Sequence, residues 1–273
     1  MRGAVLLCPP TYFEVRDRKN PYMEASIDHE KAQRQWDALR AALQNAGLQV
    51  ELISPIKGLE DMVFAANQTF VGHHSKIGKF IVPSEMRHPS RQREVPYYVD
   101  WFVNRGYRVL ALDLNGECLE GHGDLIWHPD HSRIWAGYGI RSTRRGVEKF
   151  AALMQDLEFS VTPLQLVDEY FYHLDTCFRP LNSEAALIYP EAFSSEALST
   201  LQTMWKRLHE LERSEALQFM CNGIVAGSHY ITGHSNQHLA AVLGQEDLEP
   251  VLVDTSEFEK SGGSAFCMHA RVE

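Results

Sequence analysis

Leu125-Ile-Trp-His-Pro-Asp-His-Ser-Arg-Ile-Trp-Ala-Gly-Tyr-Gly-Ile-Arg-Ser-Thr-Arg-Arg-Gly-Val-Glu-Lys-Phe-Ala-Ala-Leu-Met-Gln-Asp-Leu157 is the stretch that decides the fold class. Its short apolar runs, Leu125–Trp127 and Ile134–Gly137, read as strands, and Thr143 to Leu157 reads as a helix. The same order recurs on either side. Upstream, strands at Thr69–Gly72 and Phe80–Pro83 lead to a helix at Glu94–Arg105 and a strand at Tyr107–Leu112. Downstream, Tyr172–Arg179 and Ala185–Tyr189 precede a helix at Ser194–Leu211. Gly223–Ala226 and His229–Thr232 then precede a helix at Asn236–Leu243 and strands near Glu249–Leu252 and Ala265–Arg271. At the other end, Met1 to Pro10 reads as a strand stopped by Pro9-Pro10. A helix from about Ala25 to Ala46 follows, with Ala32, Trp36, Leu39, Leu43 and Ala46 at steps of three and four. Gly47 ends it, Leu48–Ile53 returns as a strand, and Met62–Phe64 reads as another. The cycle is strand, strand, helix, strand, roughly every fifty residues, without a residue-level repeat. No linker splits the chain, so residues 1–273 are expected to form one α/β domain.

Composition narrows the function. The 273 residues are 44% hydrophobic and 10% aromatic, enough for a large core, and 23% charged, which excludes a disordered chain. A net charge of −10 excludes a broad nucleic-acid surface, because phosphate binding needs clustered Lys and Arg. Local basic runs, Arg87–Arg93 and Arg141–Arg145, remain free to hold a small anion. No apolar run approaches a membrane span, and the N-terminal one is too short for a signal peptide. Neither nucleic acid nor membrane is therefore an expected partner. Cys8, Cys118, Cys177, Cys221 and Cys267 are odd in number and lack CxxC spacing. That argues for free thiols, a reducing compartment and a cytoplasmic location.

Four segments put polar groups where a strand core would want Val or Leu. They are Asp61-Met-Val-Phe-Ala-Ala-Asn67, Glu120-Gly-His-Gly-Asp124, Tyr172-His-Leu-Asp-Thr-Cys177 and Ser261-Gly-Gly-Ser-Ala-Phe-Cys-Met-His269. Between them they supply a thiol, imidazoles, carboxylates and an amide. A nucleophilic thiol needs a partner that takes its proton, and a His steadied by a carboxylate can do so. Cys267, after a Gly-Gly turn, is the candidate; its bland alternative is a buried small hydrophobe, the reading given to Cys8, Cys177 and Cys221. His173, on an expected strand, reads as catalyst or as hydrogen-bonded structural histidine. Gly121 and Gly123 flanking His122 imply a backbone held tightly against something. His73-His74, His128–His131 and His234–His238 lack both the HExxH pattern and a carboxylate set, so no metal is expected.

Taken together, these segments resemble the guanidino-group-modifying enzymes of the amidinotransferase superfamily: arginine deiminases, dimethylarginine dimethylaminohydrolases and arginine dihydrolases. The nearest look is to the cyanobacterial-type dihydrolases. It is carried by Asn20-Pro-Tyr-Met23, the first three segments above, Trp135-Ala-Gly-Tyr-Gly-Ile-Arg141 and the Gly-Gly approach to Cys267. The resemblance spans nearly the whole chain. It implies a five-bladed α/β propeller (pentein) of ββαβ modules in a single catalytic domain, 1–273, with no cofactor. Relatives of this kind are often dimers or larger, and the composition is as compatible with a homo-oligomer as with a monomer.

The resemblance also distributes roles. Cys267 is implied as nucleophile, His173 as general acid and base, and Glu120 as the residue orienting His173. Asp175 and Asn67 would hold the guanidinium, Arg91 and Arg141 the substrate carboxylate, with Asn20 helping and Asp61 meeting the α-ammonium. Asp124 shares its role with Glu120 in a way the extra residue of Glu-Gly-His-Gly-Asp leaves open. Deiminases and dimethylarginine hydrolases carry Asp where Asn67 stands. A neutral amide donates to a ureido oxygen as well as accepting from a guanidinium. The expected activity is therefore arginine dihydrolysis to ornithine, carbon dioxide and ammonia through a covalent thiouronium. The alternatives are release of citrulline from arginine or methylated arginine, amidino transfer, and an arginine-binding sensor.

Overall fold

The computed structural model describes residues 3–23 and 26–272. Met1, Arg2 and Ala25, on which the expected first strand and first helix partly fall, lie outside the described residues. The chain runs through β1 (Ala4–Leu7), α1 (His29–Asn45) and β2 (Gln49–Leu52), then β3 (Thr69–His74), β4 (Gly78–Pro83), α2 (Val95–Val103) and β5 (Arg108–Val109). Next come β6 (Leu125–Trp127), β7 (Arg133–Tyr138), α3 (Arg144–Gln155) and β8 (Ser160–Gln165). The fourth group is β9 (Phe178–Pro180), β10 (Ala185–Ile188), α4 (Ser195–Met204) and β11 (Arg207–Glu210). The fifth is β12 (Ile224–Ala226), β13 (His229–Thr232), α5 (Gln237–Gln245) and β14 (Glu249–Leu252), and β15 (His269–Val272) follows.

These strands form five three-stranded sheets, β3-β4-β5, β6-β7-β8, β9-β10-β11, β12-β13-β14 and β15-β1-β2. In each, an antiparallel pair is followed, across a helix, by a strand parallel to the middle one. This is the five-bladed ββαβ propeller. One blade is assembled from both ends of the chain: Ala4 pairs with Val272 on one side and Gln49 on the other.

Burial falls from the leading strand outward. All of β9 and β10 is buried, whereas β11 has no buried residue and both residues of β5 are exposed. Helices cover the sheets through a single apolar stripe. In α1 that stripe is Ala32, Trp36, Leu39 and Leu43, and the Asp28 side chain caps the helix by accepting from the Lys31 N–H. Among the described residues no helix is long and apolar enough to cross a membrane.

Three local expectations fail for physical reasons. Met62–Phe64 is not a strand; Glu60–Val63 forms a 3₁₀ turn. Tyr172–Arg179 is mostly turn, because the Thr176 hydroxyl donates to the His173 carbonyl at 2.7 Å and folds the chain back before β9 begins at Phe178. The helix expected to reach Leu211 stops at Met204, and Arg207–Glu210 leaves as an outer strand.

Candidate active site

The polar segments lie just ahead of the leading strands. Asn67, Asn222 and Cys267 each stand two residues before β3, β12 and β15 respectively, Glu120 and Asp124 precede β6, and His173 and Asp175 precede β9. A pocket of about 310 Å³, counting its mouth, is lined by Lys19, Asn20, Asp61, Asn67, Arg91, Arg141, Tyr172, His173, Ser261 and Cys267.

The thiol sits in a closed polar nest. Cys267 Sγ donates to Asp175 Oδ2 at 3.1 Å and accepts from Asn222 Nδ2 at 3.2 Å. Asn222 also accepts the Cys267 and Ser264 backbone N–H groups on its Oδ1 and donates to the Asp175 carbonyl. Burial, and then the carboxylate of Asp175, push the Cys267 thiol well above its ordinary range, so it is a neutral donor. Burial likewise raises Asp175 to about 6, and its Oδ1 is buried without a partner. The Gly-Gly approach is needed by geometry. Gly262 has φ +89°, and a Cβ there would lie 2.6 Å from both Asn20 Nδ2 and the Tyr172 hydroxyl. Tyr172 donates that hydroxyl to the Gly262 carbonyl.

The imidazole sits in the opposite kind of environment. His173 Nε2 is 2.7 Å from Glu120 Oε2, which also accepts from Arg141 Nη1 at 3.0 Å, while Oε1 accepts from the Arg87 N–H. Burial works against ionisation, but Arg141 and His173 outweigh it and hold Glu120 well below the usual carboxylate range. The tight turn inferred around His122 is real. A Cβ on Gly123 would lie 2.3 Å from Asn67 Nδ2. His122 itself anchors the turn, its Nδ1 on the Leu125 carbonyl and its Nε2 accepting the Val71 N–H. Burial pushes it down to about 3, and it is a neutral structural residue.

Two of the expected site residues are held by partners within the protein. Asp124 does not line the pocket: Ser142 donates its hydroxyl and N–H to Oδ2, and the Leu174 N–H donates to Oδ1. It ties three segments together behind the site. Arg91 does line the pocket, but its guanidinium is committed. It pairs with Glu94 at 3.0 Å and donates to Asn67 Oδ1 at 2.8 Å and to the Asp61 and Phe64 carbonyls. Arg141 is engaged in the same way, its Nη1 on Glu120 and its Nη2 on the Lys19 carbonyl.

Arg141 faces the pocket, stacked over the Tyr172 ring at 4.6 Å. Asn20 also lines it, with Nδ2 donating to the Ser261 carbonyl at 2.9 Å. Asp61 pairs with the buried Lys19 ammonium at 3.1 Å, leaving Oδ1 buried and unpartnered.

Because an arginine can only donate, the bond from Arg91 fixes the Asn67 amide with its oxygen toward Arg91 and its Nδ2 left over, buried and without a partner. Asp61 Oδ1, Asp175 Oδ1, Asn67 Nδ2 and Ser261 Oγ are thus four buried polar atoms without a hydrogen-bond partner at or just behind one pocket. Asn222, Lys19 and Tyr172 escaped the sequence reading. For Asn222 the signal was its register, two residues ahead of a leading strand like Asn67 and Cys267.

Residues 10–273 match the family described as N,N dimethylarginine dimethylhydrolase, eukaryotic. The N(G),N(G)-dimethylarginine dimethylaminohydrolase of Mycobacterium tuberculosis is 36% identical over 264 residues, covering 96% of this chain and 83% of that protein. The bifunctional arginine dihydrolase/ornithine cyclodeaminase ArgZ of Synechocystis is 33% identical over 273 residues, 98% of this chain, which spans 37% of that relative's length. The N-terminal domain of ArgZ, solved as a variant covalently bound to a reaction intermediate, superposes with a TM-score of 0.92 at 32% identity, over 99% of this chain and 98% of that one.

Proposed function

The chain belongs to the N,N-dimethylarginine dimethylaminohydrolase family, and from that premise we propose that it hydrolyses the guanidino carbon–nitrogen bond of arginine, without a cofactor, through a covalent adduct on Cys267. The observation that carries the reading is the Cys267–Asp175 pair: a thiol 3.1 Å from a buried carboxylate whose other oxygen has no partner. An ionised carboxylate in that position calls for a cation, and a guanidinium presents two N–H groups to it at once. The same cation, lodged beside the sulfur, favours the thiolate that burial and Asp175 otherwise suppress.

The steps follow from the groups present. Cys267 gives its proton to His173 and attacks the central guanidinium carbon, forming the carbon–sulfur bond. His173, steadied by Glu120, returns that proton to the departing nitrogen, which leaves as ammonia, and the adduct collapses to a thiouronium. His173 then deprotonates a water that attacks the same carbon, and the carbon–sulfur bond breaks to leave citrulline. Arg141 and Lys19 supply positive charge for the substrate carboxylate, and Asp61 supplies a free oxygen for its ammonium.

Asn67 supports a second round. Its orientation offers the pocket an N–H donor, which suits the oxygen of a ureido group better than the N–H edge of a guanidinium. Citrulline held in this way is open to a second attack by Cys267, which expels ammonia and leaves an S-carbamoyl adduct; water then cleaves the carbon–sulfur bond, and the carbamic acid released loses carbon dioxide to give ornithine. A second reading, single-step release of citrulline from methylated arginine, is favoured by the identity of 36% to the Mycobacterium tuberculosis protein.

Incubation with arginine carrying 13C in the guanidino carbon, followed by NMR, separates the readings. Labelled carbon dioxide with ornithine is expected from the parent, nothing from Cys267→Ala, and labelled citrulline from Asn67→Asp. Ornithine formation by Asn67→Asp at the parental rate would remove Asn67 from the second step, and turnover only of methylated arginine would establish the second reading.

A further inference from the structure

Cys267 and its neighbour Phe266 face different spaces. Cys267 lines the pocket already described, and Phe266 lines a second cleft of about 1920 Å³, counting the solvent at its mouth, that shares no lining residue with the first. The walls of this cleft come from β1 and from the leading strands β6, β9, β12 and β15, so it opens along the ring on the far side of the catalytic loop.

In a protein of net charge −10, this cleft is positively lined. Lys79, Arg179 and Arg271 face it, and among the described residues the one lining carboxylate, Glu51, is already paired with Arg105 at 2.9 Å. Arg271 is shared with the His131 ring at 2.8 Å. Arg179 is different. It is 5% exposed, its guanidinium lies flat over the Phe266 ring at 3.5 Å, and its Nε reaches the Cys221 carbonyl at 3.4 Å. Its Nη2 is buried with no hydrogen-bond partner. His269, beside it, spends Nδ1 on the Phe266 carbonyl at 2.8 Å. Burial first, with Arg179 and Arg271 adding, pushes His269 down to about 4, the response of an imidazole in a positive field.

Leaving a charged donor buried and unpartnered is costly, and an oxyanion removes that cost in one contact. The planar fork of an arginine, backed by an aromatic ring, matches the paired oxygens of a carboxylate or phosphate. We propose that this second cleft is an anion-binding site, with the Arg179 guanidinium as its principal donor and Lys79 and Arg271 as flanking cations. Its ligand class is a carboxylate or phosphate small enough to enter between the leading strands. Arg179 lies within electrostatic reach of Asp175 and Cys267, but the anion contact uses neither of them, so the site stands whether or not arginine is the substrate.

Calorimetric titration of the full chain with inorganic phosphate and, separately, with citrate, at an ionic strength held constant with sodium chloride, tests this. Saturable binding is expected, weakened at least about tenfold by Arg179→Met, which keeps the contact with Phe266, and unaffected by Arg141→Met, which reports on the catalytic pocket. Whichever of the two anions binds tighter identifies the source of the oxyanion. Absence of saturable binding, or binding lost in Arg141→Met but not in Arg179→Met, overturns the proposal. Crystals of the parent soaked in selenate give a reading that does not depend on the variant folding: an anomalous peak within hydrogen-bond reach of Arg179 supports the site, and its absence at saturating selenate refutes it.

Discussion

Asp175 and Glu120 are both wholly buried carboxylates, and both serve groups that line the same pocket, yet the protein treats them in opposite ways. Glu120 is surrounded by donors: Arg141, His173 and the Arg87 N–H hold it ionised. Asp175 is given a neutral thiol and one unpartnered oxygen, and burial raises it to about 6. The difference shows which charge the protein has completed and which it has left open. On the imidazole side the Glu120–Arg141 ion pair is already built. On the thiol side one carboxylate oxygen keeps no hydrogen-bond partner, which is where the proposed mechanism would seat the guanidinium.

This contrast can be broken in several ways. Cys267→Ala should abolish turnover, by about 10⁴-fold or more, since the covalent route is lost. Retained binding of arginine by calorimetry would show that Asp175 and not the sulfur holds the cation. Glu120→Gln should lower kcat by about 10²- to 10³-fold, much of what general acid–base catalysis by His173 is worth, because His173 loses its charged partner. If kcat is unchanged while KM rises, Glu120 serves Arg141 rather than His173.

Asn222→Ala should cost about 1–3 kcal/mol in chemical denaturation, because it strips a partner from the Cys267 and Ser264 N–H groups at once. It should also slow turnover, and an undiminished rate would show that Asp175 alone positions the sulfur.

The smallest effect sharpens the comparison most. A carboxyl raised from 3.8 to about 6 penalises the folded state as it ionises, so the penalty grows from about pH 4 upward and is complete above pH 6. Asp175→Asn should therefore melt a few degrees higher than the parent at pH 7.5, with the gap shrinking by pH 5, while losing activity. In the parent, kcat/KM for arginine should fall as pH drops through about 6. A melting gap independent of pH would mean that Asp175 is ionised throughout.

Much of this organisation was legible because it is written in apolar runs and glycines. The antiparallel leading pairs, the helices and the Gly-Gly before Cys267 all declare themselves. Two of the outer strands, β8 and β11, did not. Arg207-Leu-His-Glu210 has no buried residue, and its pairing to β10 runs through the backbone, which carries no signature in side-chain type. Arg91 looked like a free cation because its four partners, Glu94, Asn67 and the Asp61 and Phe64 carbonyls, include two that are main chain and one that lies 24 residues away. The partners of Asp124 were equally hidden: Ser142 and the Leu174 N–H, distant in sequence, claim both its oxygens. The resemblance named residue types at the site, but only the coordinates assign each hydrogen bond.

The blade built from β15, β1 and β2 has a kinetic meaning. Ala4 pairs with Val272, so the sheet that follows Cys267 depends on a contact between residues 268 positions apart. The other four blades are local and free to form early, whereas this one must await a long loop closure, whose entropy grows only logarithmically but whose search is slow. Recovery of catalysis after dilution from denaturant should therefore lag recovery of secondary structure, and the lag would time the moment the ring becomes continuous.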